Sequence, residues 1–245
     1  MVIGGLQKFS LLDYPEKISA IVFTKGCNFR CQFCYNPMLV WPTEGAGCKD
    51  TFSNEKETEG YPQITEGDLF DFLKKRMGKL DAVVISGGEP TLHFDLPELI
   101  KKIKEMGFLV KLDTNGTNPI MLKKLLDENL LDYIAMDIKG APEKYEAVTG
   151  VKVNLDNIQE SIIMIKESDL PYEFRSTIIP GLILAKDIKL MGEMIKGADK
   201  WFLQQFKNDT ELVNPDSEKI KPYSQKELEK MVIEASNYVK NTGLR

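Results

Sequence analysis

Six short apolar runs alternate with amphipathic segments along this 245-residue chain, and that alternation restricts the fold more than any other feature. The runs are residues 18–23, 82–85, 108–112, 133–138, 172–179 and 201–205. They are largely continuous rather than alternating apolar and polar, as strands buried on both faces are. Helical spacing fills the gaps. Leu69, Phe72 and Leu73 follow Thr65 and Asp68 at capping-box spacing; Leu99, Ile100 and Ile103 precede a stop at Gly107; Leu122, Leu125 and Leu126 follow Asn118-Pro119. Ile158, Ile162 and Ile165 predict a helix over 156–167, and another is expected over 185–196. Ser224 and Glu227 cap a terminal helix with Leu228, Met231, Val232 and Ala235 inward. Strict β/α alternation implies a parallel sheet with right-handed crossovers.

Such a sheet either curls into a partial barrel or lies open and doubly wound. Polar residues decide between them. Cys27, Cys31 and Cys34 follow the first strand, Glu89 the second and Asp113 the third; Asp137 and Lys139 follow the fourth, and Arg175 sits on the fifth. A barrel spreads its site over many strand ends in this way, whereas an open sheet concentrates it at one switch point. The expected fold is α/β, a single-domain partial TIM-like (β/α)6 barrel over 1–245. Residues 41–64, dense in Gly, Pro, Thr, Glu and Asp, read as a loop insertion, and 206–245 as a C-terminal extension with a helix.

Charge and cysteine usage narrow the class. Lys plus Arg number 32 against 37 Asp plus Glu, a net charge of −5, which argues against binding nucleic acid through a broad basic surface. No apolar run approaches the ~20 residues of a membrane-spanning helix, and the first twelve residues lack the pattern of a signal peptide. Of four cysteines, three crowd together, so a disulfide framework is not expected; a reducing cytosol is.

Residues 26–36 read G-C-N-F-R-C-Q-F-C-Y-N. The C-x3-C-x2-C spacing is neither a paired zinc arrangement nor a lone redox C-x-x-C. Three thiolates suit a [4Fe–4S] cluster with one iron left without a cysteine, since a complete set takes four. Zinc with Cys48 as fourth ligand is the alternative, but Cys48 lies in the polar insertion and would close the site into an inert tetrahedron.

With Gly87-Gly88-Glu89-Pro90 after the second strand, the cysteine loop resembles the radical S-adenosylmethionine (SAM) superfamily. Asp13-Tyr14-Pro15, Asp113-Thr114-Asn115-Gly116, Asp137-Ile138-Lys139, and Arg175 ahead of Pro180-Gly181 resemble the glycyl-radical-enzyme activating enzymes, most of all the activating proteins of anaerobic ribonucleoside-triphosphate reductase. The resemblance implies a cytoplasmic oxidoreductase of anaerobic metabolism that cleaves SAM reductively at a [4Fe–4S] cluster held by Cys27, Cys31 and Cys34. The resulting 5′-deoxyadenosyl radical would take hydrogen from a glycine of a partner enzyme, with electrons from a flavodoxin- or ferredoxin-type donor.

Site roles follow from the same resemblance. Gly87 and Gly88 would admit the methionine amino group to backbone carbonyls, with Glu89 as its negative partner. Phe33 would lie against adenine and Lys139 neutralise the SAM carboxylate. Asp113, Thr114 and Asp137 would offer oxygen ligands to a monovalent cation, and Arg175 would pair with SAM or with Glu89. Tyr35 and Phe206 replace histidines of some relatives, and the single histidine, His93, receives no role. Two competing functions remain, a radical SAM enzyme for a small molecule of the deazaguanine type or a peptide, and a non-catalytic iron–sulfur or zinc protein.

Overall fold

The structure, a computed structural model, describes residues 1–41 and 64–245. Its strands are β1 (Ile3–Ser10), β2 (Ser19–Thr24), β3 (Ala82–Gly87), β4 (Leu109–Thr114), β5 (Tyr133–Asp137), β6 (Tyr172–Ile178), β7 (Lys200–Gln205) and β8 (Asn241–Leu244), and they lie in that order in one sheet. All neighbours from β2 to β8 pair in parallel; β1 runs antiparallel to β2. The helices are α1 (Pro37–Val40), α2 (Glu66–Lys74), α3 (Leu96–Glu105), α4 (Pro119–Asp127), α5 (Tyr145–Thr149), α6 (Leu155–Glu167), α7 (Asp187–Met194) and α8 (Gln225–Ala235). The six expected strands are β2 to β7. None of the helices among the described residues is long and apolar enough to cross a membrane.

Side chains alternate across a strand, so the sheet has two unlike faces. One carries Val83, Ile85, Val110, Leu112, Ile134, Met136, Phe174 and Trp201, all fully buried in the large core beneath the helices. Burying each large apolar side chain contributes about 1.5–3 kcal/mol. The other face holds a small cluster of Tyr14, Ile21, Ala82, Val84 and Tyr133 toward the strand beginnings. Beyond it stand Lys111, Asp113, Asp137, Glu173 and Arg175. Arg175 on β6 bonds Asp113 on β4 across β5, and only a concave face brings alternate strands that close. The sheet is therefore a partial barrel with β1 and β8 as its edges.

Three local features hold the elements in register. Thr65 accepts the Asp68 N–H and the Asp68 carboxylate accepts the Thr65 N–H, closing the expected capping box of α2. The Glu227 carboxylate accepts the Ser224 N–H at the start of α8. The chain enters β2 through the turn Tyr14-Pro15-Glu16-Lys17, where the Lys17 N–H bonds the Tyr14 carbonyl at 3.3 Å and Glu16 takes φ +62°. That position of a Pro-initiated turn ordinarily asks for glycine.

Two strands escape the periodicity argument. In β1 the apolar residues fall at 3, 6 and 9, Gly4-Gly5 reads as a turn, and its pairing with β2 has two register shifts. The segment β8 is Asn-Thr-Gly-Leu, without apolar pattern, and exists through its pairing with β7. The expected insertion over 41–64 lies, except for its two end residues, outside the described residues, as does Cys48.

Candidate active site at the mouth of the partial barrel

The ends of β2 to β7 surround a cavity of about 350 Å³ whose lining includes Cys27, Cys31, Cys34, Gly87, Gly88, Glu89, Asp113, Asp137, Lys139 and Arg175. The sequence-predicted site residues thus share one space, with Phe33 and Thr114 also on its wall. A larger groove of about 780 Å³ runs along α4 and α6 and contains none of them.

The cysteine loop is held by backbone bonds. Gly26 and Cys27 donate N–H groups to the Leu39 and Val40 carbonyls at 2.8 and 3.1 Å, and Arg30 N–H bonds the Thr149 carbonyl at 2.7 Å. The Arg30 guanidinium donates to the Cys27 and Phe29 carbonyls and lies 4.5 Å from the Trp41 ring centre. Beside Thr149, Gly150 has φ +72°, and a Cβ there would stand 2.6 Å from the Arg30 carbonyl oxygen. This brace at the end of α5 has no sequence signal beyond a glycine after a short apolar stretch. On the other flank, the Val213 and Asn214 N–H groups bond the Cys34 and Gln32 carbonyls, and the Tyr35 hydroxyl accepts the Lys207 N–H at 3.0 Å. Tyr35 thereby ties the C-terminal extension to the loop.

The donor set fits an iron–sulfur cluster. Cys27, Cys31 and Cys34 are free thiols; burial pushes Cys27 up to about 12 and Cys31 up to about 11. Such thiols release their protons when a metal takes the proton's place. Among the described residues no three His, Cys, Asp or Glu side chains are gathered tightly enough for a single metal ion. A four-iron cluster instead takes one thiolate per iron.

The glycine pair has a role the sequence reading did not include. Gly87 has φ +120°, and a Cβ there would lie 2.2 Å from the Thr24 nitrogen; one on Gly88 would lie 2.0 Å from the Gly26 oxygen. Both glycines therefore seat the turn directly on the backbone leading into the cysteine loop, where Gly88 and Glu89 donate N–H groups to Thr24 and Gly26 at 2.9 and 2.8 Å. Glu89 is 1% exposed. It accepts from the Thr91 N–H and hydroxyl, the Thr114 hydroxyl and the Asn115 N–H. Burial pushes its carboxyl upward, and these bonds only partly offset that.

One expectation is corrected here. Arg175 does not pair with Glu89: its Nε and Nη1 donate to Asp137 Oδ1 at 2.9 Å and Asp113 Oδ2 at 3.2 Å. The Thr114 hydroxyl, expected beside Asp113 and Asp137 as a cation ligand, donates to Glu89 at 2.7 Å and accepts the Gly116 N–H at 3.1 Å. Lys139 Nζ donates to Asp137 Oδ2 at 2.9 Å, and the buried Lys111 donates to Asp113 Oδ1 at 2.7 Å. Burial pushes the Asp137 carboxyl up, but Arg175 and Lys139 outweigh it and hold the group far below the usual range. Burial likewise opposes charge on Lys139 and is outweighed by Asp137 and Cys31, which raise it.

Other residues are sorted by the same geometry. Phe33, 5% exposed, packs in the core while lining the cavity. Asp13, from the Asp13-Tyr14-Pro15 motif, also lines it, as does Gln204, which carried no expected role. His93 is half-buried at the end of the single turn Pro90–Leu92 and is absent from the cavity wall.

Comparison with known proteins settles the family. The Radical SAM superfamily model matches residues 21–189. The chain belongs to the radical SAM superfamily. A protein of Methanocaldococcus jannaschii named as a glycyl-radical enzyme activating enzyme is 30% identical over 100% of this chain and 95% of its own length. The pyruvate formate-lyase-activating enzyme of Streptococcus mutans is 30% identical over 80% of this chain and 72% of its own. Among solved structures, Streptococcus suis SuiB bound to its precursor peptide SuiA superposes with a TM-score of 0.64 at 16% identity, over 92% of this chain and 48% of that longer one. That likeness shows the fold. This radical SAM enzyme is of the glycyl-radical-enzyme activating type, and its cofactors are a [4Fe–4S] cluster and SAM.

Proposed function

We propose that residues 1–245 act as one radical SAM unit that generates a glycyl radical in a partner enzyme, anaerobic ribonucleotide reductase or a similar glycyl radical enzyme, in a reducing cytosol. What carries this reading is one cavity that holds three cysteines at one wall and Glu89, Asp137, Lys139 and Arg175 at the others. When bound, the reduced cluster supplies the electron that cleaves SAM to methionine and a 5′-deoxyadenosyl radical.

The chain's own groups have separate tasks. Cys27, Cys31 and Cys34 hold the cluster and leave one iron for SAM. The Gly87-Gly88 backbone and Glu89 receive the SAM ammonium, while Lys139, with Arg175 behind it, receives the carboxylate. Phe33 covers the adenine. Asp13, from the Asp13-Tyr14-Pro15 motif, also stands on the cavity wall. A flavodoxin- or ferredoxin-type protein supplies the electron.

Anaerobic reconstitution, reduction with SAM and chromatography for 5′-deoxyadenosine test the cleavage. A loaded cluster that yields none would refute it. Electron paramagnetic resonance after mixing with anaerobic reductase from the same cell tests the partner: a glycyl doublet is expected, and cleavage without a doublet moves the substrate to a small molecule or peptide.

A further inference from the structure

Four contacts on the concave face form an unbroken line of charges. Lys111 bonds Asp113 at 2.7 Å, Asp113 bonds Arg175 at 3.2 Å, Arg175 bonds Asp137 at 2.9 Å and Asp137 bonds Lys139 at 2.9 Å. All four carboxylate oxygens of the two aspartates are engaged by nitrogen donors. Three cations on two carboxylates leave the line with one positive charge in excess. The third oxygen of a cation-binding set, on Thr114, is already donor to Glu89 and acceptor from Gly116.

A monovalent metal ion binds where oxygen lone pairs converge without competing positive charge, as hard cations do in general. Here each of the four carboxylate oxygens already faces an ammonium or guanidinium, so a metal ion would enter against three neighbouring positive charges. Lys111 matters most, because its side chain is only 2% exposed and cannot swing into solvent to make room. Leaving Asp113 with one partner fewer in this buried setting is costly.

We propose that this chain binds SAM without a monovalent metal cation, the buried Lys111 ammonium serving as the fixed counter-charge that keeps Asp113, Arg175 and Asp137 in line behind Lys139. The inference rests on the reading of the cavity as the SAM site. Lys111 does not reach the cavity wall, so it is a positioning residue. Its effect passes through Asp113 to Arg175 and onward to the group that receives the carboxylate.

The test is SAM affinity of the cluster-loaded protein, measured by calorimetry in potassium, sodium or tetramethylammonium chloride at equal ionic strength. The wild-type dissociation constant is expected to agree within twofold in all three. Lys111→Met should weaken binding about tenfold in tetramethylammonium and recover severalfold in potassium or sodium, with iron and sulfide content unchanged; Lys111→Arg should stay near wild type. A wild-type affinity that rises tenfold when potassium or sodium replaces tetramethylammonium would overturn the proposal, and needs no variant. So would a folded Lys111→Met protein with wild-type affinity. Absence of SAM binding in every salt would overturn the site reading itself, a result distinct from salt-dependent binding.

Discussion

The concave face carries two ion systems, and they are built differently. Toward the strand beginnings, Glu173 is fully buried, accepts the Tyr133 hydroxyl at 3.0 Å, and takes two parallel bonds from the Arg245 guanidinium at 2.7 and 2.9 Å. That guanidinium lies 3.7 Å from the Phe202 ring centre. One carboxylate thus meets one bidentate cation beneath an aromatic cover, a closed arrangement. At the mouth, the line from Lys111 to Lys139 ends on an ammonium beside the cysteines, with one charge to spare. A closed pair holds the barrel together; an open-ended line is suited to receive a ligand.

Substitutions should separate the two. The largest effect belongs to the mouth: Cys27→Ala, Cys31→Ala or Cys34→Ala is expected to abolish cluster absorbance and 5′-deoxyadenosine formation, whereas Cys48→Ala leaves both intact. Loss of the cluster in the Cys48 variant would restore the four-cysteine site. At the closed pair, Arg245→Met leaves Glu173 buried with Tyr133 alone and should cost roughly 3 kcal/mol in urea unfolding while the cluster still loads. Adding Glu173→Gln should recover part of that, and a strictly additive double variant would show the pair to be uncoupled.

Two further changes probe how the mouth is seated. Gly88→Ala forces a methyl group onto the Gly26 carbonyl, so a loss of about 1–3 kcal/mol together with reduced iron content is expected. Asp137→Asn should lower stability at pH 7 by about 1 kcal/mol. The pairing depresses the Asp137 carboxyl in the folded state, so its contribution is complete above the unfolded value of about 3.9 and is lost as pH falls through the lower folded one. Unfolding midpoints of wild type and Asp137→Asn should therefore stay apart from pH 7 to about 4 and converge only below it. The smallest change is a gain. Glu16→Gly relieves the left-handed φ in the turn before β2 and should stabilise by about 0.5–1 kcal/mol without altering cluster content.

Much of this arrangement was legible in the chain because its signals are local. Buried strands announce themselves by continuous apolar runs, and the cysteines, Glu89, Asp137 and Lys139 follow those runs directly. What escaped depends on contacts distant in sequence. Nothing near Lys111 says that its ammonium lies inside, since a lysine within an apolar strand reads equally well as an exposed residue. Arg175 was placed in the site by its strand, but its partners come from β4 and β5, and only the curvature of the sheet selects Asp113 and Asp137 over Glu89. Gly87 and Gly88 were found as a motif, yet the Thr24 and Gly26 backbone they meet comes from the preceding strand and loop. The strands β1 and β8 lack a pattern of their own and are specified by their neighbours.

The bonds from Gln32, Cys34 and Tyr35 to residues 207–214 give the cysteine loop a second office. The Tyr35–Lys207 and Gln32–Asn214 contacts join points 172 and 182 positions apart in the 245-residue chain, so they cinch most of the polypeptide into a ring. Closing a ring of that size carries an entropic cost, and the clasp sits on the cysteine loop. A cluster held by Cys27, Cys31 and Cys34 would fix one side of that clasp, so metal binding and closure of the chain would be linked.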